Sequence, residues 1–204
     1  MNEQNASNGP GGGFLARAWR FLNRLGARYS PFVLVAGGVA AGVLAWGAFN
    51  WSMELSNTEA FCISCHEMRG TVYEELKETP HWSNRTGVRA TCSDCHVPKP
   101  WQYKLVRKVQ ATNELFHKVL GTVDTPEKFE QHRLKLANSV WASMRASDSR
   151  ECRNCHALES MNPDKQVRPA QRRHKQAREK GQTCIDCHQG IAHKLPKGWE
   201  PPAG

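Results

Sequence analysis

Apolar and polar residues are distributed very unevenly along this chain. Positions 29–53 carry no charge, and positions 32–51 read FVLVAGGVAAGVLAWGAFNW. Twenty mostly apolar residues suffice for one membrane-spanning helix. Trp46 and Trp51 stand toward one end, where aromatic rings favour the lipid–water interface. Arg17, Arg20, Arg24 and Arg28 precede the run, so the positive-inside rule puts the N-terminus in the cytoplasm. Everything after Trp51 then lies outside, in the bacterial periplasm. A cleaved signal peptide is the competing reading. The run is long for that, and Ala48-Phe49-Asn50-Trp51 is a poor cleavage site, so a retained single-pass anchor in the inner membrane is expected. The first fifteen residues are rich in Gly and Asn and read as disordered.

Beyond the apolar run the pattern changes to short amphipathic stretches. Thr71-x-x-Glu74 is a capping box, opening a helix that must end by Pro80. Positions 99–114 read as an amphipathic helix. Asp124-x-x-Glu127 with Pro126 opens a longer helix. Its Phe129, Leu136, Ala137, Val140, Trp141 and Met144 share one face. Another helix follows Pro169 and stops at Gly181, and the tail from Pro196 is loop. The expected class is all-α with low secondary-structure content. The expected division is a largely disordered cytoplasmic segment at 1–28, an anchor at 29–53 and a compact external domain at 54–204.

The cysteines change this picture most. All eight fall in four copies of Cys-x-x-Cys-His. Cys62 and Cys65 precede His66, Cys92 and Cys95 precede His96, Cys152 and Cys155 precede His156, and Cys184 and Cys187 precede His188. That is the attachment signature of c-type haem, with two thioethers to the vinyls and an adjacent His for the iron. Zinc sites, redox dithiols and disulfides would also use paired cysteines, but none requires His after the second Cys. Four covalent haems on 204 residues point to electron transfer. They also supply the apolar bulk that a small domain with 39% hydrophobic residues lacks.

The formal net charge is +9, and positions 52–204 hold 24 of the 28 Lys/Arg and 18 of the 19 acids. A basic chain suggests nucleic acid in general, but haem propionates are better partners for these cations here. Anionic lipid headgroups and an acidic protein remain open alternatives.

The first cysteines of successive motifs are 30, 60 and 32 residues apart: pair, gap, pair. Each pair has a His about ten residues before Thr-Cys-x-Asp-Cys-His: His81 before Thr91, and His174 before Thr183. An internal di-haem duplication is expected, with units at about 58–100 and 148–197 and a helical connection at 101–147. Low-spin haems take two axial ligands. His66, His96, His156 and His188 are the motif ligands. His81 and His174 occupy equivalent places and are expected to share a role as second ligands. His193, five residues after His188, is expected to serve a neighbouring haem. His117 and His132 are weaker candidates and read as surface residues. Met68, two residues after His66, is an alternative ligand to it. That choice would leave the first haem with an open position. A quinol could deliver electrons there, beside Lys104, Lys108 and Glu114, with Glu114 as candidate proton acceptor.

These features together resemble the NapC/NirT family of membrane-anchored multihaem quinol dehydrogenases. The resemblance runs from the anchor to Lys197. It is carried by Cys62-x-x-Cys65-His66-x-Met68, Gly87-Val88-Arg89-Ala90-x-Cys92-x-Asp94-Cys95-His96-Val97-Pro98, Arg150-Glu151-Cys152-Arg153-Asn154-Cys155-His156 and the stretch from Cys184 to His193. It implies four haems, oxidation of the membrane quinol pool and delivery to a soluble periplasmic reductase. The chain looks most similar to the NapC branch, which serves nitrate reductase. It lacks the further haem domain expected of trimethylamine-N-oxide-linked members. In the nitrite-reductase branch a Met placed like Met68 ligates the first haem, with an acid near its open face; a loose correspondence would make that acid Glu114. Two other functions compete. A passive membrane-tethered wire would need a separate quinol-oxidising complex. A terminal reductase would need an exposed substrate haem.

Overall fold

The computed structural model describes residues 13–201, so the disorder expected for positions 1–12 lies outside the described residues. The chain divides into two units, 1–54 and 55–204. The first contains α1 (Phe14–Arg28) and most of α2 (Pro31–Leu55). Positions 14–28 are helical, where the sequence suggested disorder. Arg17, Arg20, Arg24 and Arg28 recur at three- and four-residue spacing and share one face, a spacing only a helix uses. Helix α2 is the one helix among the described residues long and apolar enough to cross a membrane. None of its side chains is buried by protein. Its polar groups turn inward on the helix itself: Asn50 donates to the Trp46 carbonyl at 2.8 Å and Ser52 to that of Phe49 at 2.8 Å. Such back-bonding is what a polar side chain near lipid requires.

The second unit contains α3 (Glu59–Cys62), α4 (His66–Arg69), α5 (Val72–Lys77), α6 (Cys92–His96), α7 (Trp101–Val119), α8 (Pro126–Ala146), α9 (Arg150–Arg153), α10 (Arg168–Glu179) and α11 (Cys184–Cys187). No strand occurs among the described residues, and 66% of them are helical. The all-α class is as expected. The regular content is higher than expected, because the connection between the motif pairs is two full helices, α7 and α8, hinged at Gly121 (φ +63°). Around the motifs the helices are only four to six residues long.

Two expected helix starts form differently. Thr71 precedes α5, but its hydroxyl donates to the Glu67 carbonyl and makes no cap. Helix α8 is capped by Thr125, whose side chain accepts from the Lys128 N–H, rather than by Asp124. The capping boxes fall on the haem motifs instead. Thr91 with Asp94 caps α6, and Thr183 with Asp186 caps α11. The repeated Thr-Cys-x-Asp-Cys-His is thus a helix start that fixes the cysteine pair.

Few apolar side chains are buried: only Leu76, Phe129 and Ile185 form a core among the described residues. Of the face read on α8, Phe129 is buried and Leu136 is exposed. Arg133, one turn after Phe129, occupies the buried face at 6% exposure. Helix α11 packs on α8, α5 on α4, α9 on α6, and α6 on α3. Ser149 is fully buried and joins α8 to α11: its N–H donates to the Met144 carbonyl at 2.7 Å, and its Oγ accepts from the Ile185 N–H at 3.2 Å. Asp148 and Ser149 make this corner with φ of +52° and +49°, a conformation rare outside glycine.

Candidate haem-binding sites

All eight cysteines are free: Cys62, Cys65, Cys92, Cys95, Cys152 and Cys184 are half-buried, and Cys155 and Cys187 are exposed. The first motif straddles two helices. Cys62 ends α3, and Cys65 stands just before α4, where its carbonyl accepts from the Met68 and Arg69 N–H groups at 3.1 Å each. The second motif is α6, the third begins on α9 and the fourth on α11. Successive motifs touch. The Cys92 thiol hydrogen-bonds with Cys62 and lowers it to about 7 against the effect of burial, while Cys92 itself is raised. Burial and then neighbouring Cys152 raise Cys95 to about 11. Burial and then Cys184 raise Cys152. Helix α3 packs on α6 and α6 on α9, and Ser149 just before α9 bonds Ile185 of α11, so the attachment points run in one contiguous order, first to fourth.

Six of the nine histidines stand in pairs. His96 and His193 have ring centroids 6.3 Å apart, His81 and His156 6.2 Å, and His174 and His188 6.0 Å. An iron between two imidazoles needs about 6.3 Å, from ~2.0–2.1 Å metal–nitrogen bonds plus about 1.1 Å to each ring centre. Each pair contains one motif His. Burial, then the neighbouring His193, lowers His96 to about 4, and burial likewise lowers His188 and His193. Neutral imidazoles are the form a metal binds. The buried Nδ1 atoms of His81 and His193 lack a hydrogen-bond partner. His174 engages Gln166 Oε1 through Nδ1 at 2.8 Å, leaving Nε2 for an iron. With few apolar side chains in the core, these pairs fit haem.

Each partner histidine is locally braced. The loop after His81 is closed by Ala90 N–H donating to the His81 carbonyl at 2.8 Å, and Asn84 bonds the Pro80 and Val88 carbonyls inside it. His174 lies on α10, ended by Gly181 at φ +64°. His193 follows Gly190 at φ +75°, where a Cβ would meet Leu195 at 2.8 Å. Only glycine makes that turn. Behind His193, Glu75 of α5 accepts from both Nη atoms of Arg133 and from the Lys194 N–H at 3.0 Å, and lies 4.0 Å from His193 Nδ1. Arg133 also donates to the Lys194 carbonyl at 3.0 Å. Carboxylates behind a ligating His orient it and raise its basicity. Sequence reasoning missed both residues; an arginine in the apolar face of α8 was the available signal.

His81 and His174 do not play identical parts. His174 faces the motif of its own half, whereas His81 faces His156 across the halves, so the two units interlock. His66, His117 and His132 face no other histidine among the described residues. His117 bonds Thr122 through Nδ1 at 3.0 Å, and His132 the Lys128 carbonyl at 2.9 Å. His66 is exposed, and Met68 is half-buried on the same short helix, α4.

The quinol-site candidates on α7 separate. Lys108 reaches the first motif region, donating to the Ser56 carbonyl at 2.9 Å. Lys104 is half-buried one turn before it. Glu114 is paired with Arg107 at 2.7 Å, and Arg107 donates to the His96 carbonyl at 3.2 Å, which turns Glu114 toward the second motif. The acid at the first motif is Glu67, between His66 and Met68. It is buried, its Oε2 lacks a partner, and it is ion-paired with Lys118 of α7. Against burial, Lys118 and the Glu67 backbone N–H hold this carboxyl below its usual range.

A single-pass membrane anchor and four haem-attachment motifs, three of them with an opposed second histidine, define a membrane-anchored c-type cytochrome. The NapC/NirT cytochrome c family, N-terminal region, matches residues 24–198, and the chain belongs to that family. It is 56% identical over 198 residues to the denitrification system component NirT of Stutzerimonas stutzeri, covering 97% of this chain and 96% of that one. It is 50% identical over 184 residues to the cytochrome c-type protein NapC of Escherichia coli K12, covering 90% and 92%. The cytochrome c-type protein TorC of Escherichia coli K12 is 41% identical over 89% of this chain but only 47% of its own length. Identity to the NirT relative exceeds that to NapC, so it does not single out the NapC branch expected from the motifs. No solved structure matches.

Proposed function

We propose that this chain is a quinol dehydrogenase of the inner membrane that relays electrons through four haems to a soluble periplasmic reductase. The carrying observation is an asymmetry: the second, third and fourth motif histidines each face another histidine, and His66 faces none among the described residues. Irons with two protein ligands pass electrons without binding substrate, and a first iron lacking a second protein ligand would leave a free face beside which a quinol could dock. The haems supply one-electron transfer; the chain supplies order and insulation. Cys62 and Cys65 would carry the first haem, with His66, or Met68 in its place, on its iron. His96 with His193, His156 with His81 and His188 with His174 would hold the others. The packing of α3 on α6, of α6 on α9 and of Ser149 on α11 supports a single-file order.

Lys108 and Lys104 lie on the α7 stretch that approaches the first motif, and with Glu114 they remain the quinol-site reading. The first motif starts seven residues after α2 ends, which supports entry near the lipid. The four arginines before α2 support a cytoplasmic N-terminus and a periplasmic haem domain. Nitrate reductase is the favoured acceptor. The denitrification role named for the NirT relative supports a nitrite or other periplasmic reductase as second reading.

Anaerobic addition of a menaquinol or ubiquinol analogue to the purified chain in detergent tests the proposal. Inhibitor-sensitive reduction, followed by haem absorbance, is expected. No reduction by quinol, with dithionite still reducing every haem, would overturn it in favour of a passive wire.

A further inference from the structure

The positive charge of the external domain is concentrated in one place. Between Arg168 and Lys180 lie six Lys/Arg and one acid, Glu179. The rest of positions 52–204 holds 18 Lys/Arg against 17 acids. Almost the whole excess is therefore on α10 and the residue after it.

The helix sorts its residues by face. Ala170, Gln171, His174 and Ala177 are half-buried, at the spacing of one inward stripe. His174 on that stripe faces His188, so the fourth site lies directly beneath the helix. Arg178 lines the same small cavity as His174. Arg168, Arg172, Arg173 and Lys175 point the other way and are exposed. Among the described residues only Lys175 has a carboxylate partner, Glu179, at 4.0 Å with both side chains mostly exposed. Elsewhere five arginines of this domain are ion-paired, Arg89 with Glu59, Arg107 with Glu114, Arg133 with Glu75, Arg145 with Asp186 and Arg153 with Asp148, while Arg69 and Arg85 stand apart from one another in the sequence without a carboxylate partner among the described residues.

We infer that the outer face of α10, Arg168, Arg172, Arg173 and Lys175, is the docking surface for an acidic redox protein. This rests on the relay reading, because it sets the partner against the last site of the series. Exposed cations over such a site, three of the four with no carboxylate partner among the described residues, steer an acidic protein and orient it. A membrane surface fits the helix less well. Interfacial helices oppose their cations with large apolar residues that enter lipid. The apolar residues of α10 beyond Pro169 are Ala170 and Ala177, both turned inward.

The test is the dissociation constant of the oxidised full chain, in nanodiscs, for an acidic blue-copper protein, with a neutral blue-copper protein as comparison. The triple variant R168E/R172E/R173E is set beside R85E/K135E/K197E, which changes net charge equally on other exposed positions. At low salt the α10 variant is expected to weaken the acidic complex at least tenfold and to lose its salt dependence. The control variant and the neutral protein should change less than threefold. Equal weakening by both variants would overturn the inference, as would unchanged binding in the α10 variant. So would a loss seen only with anionic vesicles, or only as a changed spectrum of the His174–His188 site. Haem reduction by a quinol analogue is measured separately. If that fails in the wild-type chain while the binding result holds, the relay reading fails and the docking surface stands.

Discussion

Replacing Arg133 by Met is the sharpest test of how this domain is held together. Arg133 and Glu75 are 8% and 11% exposed at the side chain, so both charges are largely removed from water. Arg133 also donates to the Lys194 carbonyl and to Glu130 at 3.0 Å. Without it, Glu75 keeps only the Lys194 N–H as a donor. Stranding one partner of such a buried pair costs about 3–5 kcal/mol. For a unit the size of 55–204, that corresponds to roughly 6–20 °C in Tm. Removing both charges in E75L/R133M should cost clearly less than R133M alone, because no charge is left buried without a partner. The assay is urea and thermal unfolding of the haem-loaded chain, followed by far-ultraviolet circular dichroism and haem absorbance. The ferric spectrum reports on the site as well. Lys194 follows His193, so R133M should also loosen the second ligand of the His96 site and add a high-spin component. A shift in Tm below about 3 °C, or strict additivity in the double variant, would refute the reasoning.

Three further outcomes are expected. H193A should give a high-spin signal from about one haem in four, assigned to the His96 site and absent in H132A, by ferric absorbance and electron paramagnetic resonance. S149A should cost about 1–3 kcal/mol in urea unfolding, because the buried Ile185 N–H loses its acceptor. D94A should cost about 1 kcal/mol by removing the capping box of α6, whereas T71A, at a position that caps nothing, should cost less than half of that.

The apolar anchor, the motif histidines and the start of α10 were readable directly, since each depends on local pattern or fixed spacing. The helices after Thr71 and Asp124 begin where expected, but their caps were misread by the same local logic, because capping chemistry recurs in sequence and only backbone geometry decides which copy engages. The partner of His81 was beyond reach for a different reason. Its spacing to the second motif matches that of His174 to the fourth, yet its partner lies 75 positions away at His156. The Glu75–Arg133 clamp was hidden because Arg133 interrupts an apolar face and Glu75 looks like any helix-surface acid. Long-range pairings of this kind leave no periodic trace.

The pairing of His96 with His193 has a consequence for how the molecule comes into being. Ninety-seven positions separate the two rings. A chain synthesised from its N-terminus presents His96 well before His193. The third site can close as soon as His156 emerges to meet His81, and the fourth closes within fifteen positions of chain. The second site stays half-made until the stretch that carries His193 arrives. On the proposed pairing, the sites therefore close out of the numerical order of the motifs. A chain truncated after Gly190 would lack the second ligand of that site while the fourth pair was present, so the Gly190 turn and His193 would act as a clasp on a site laid down half a domain earlier.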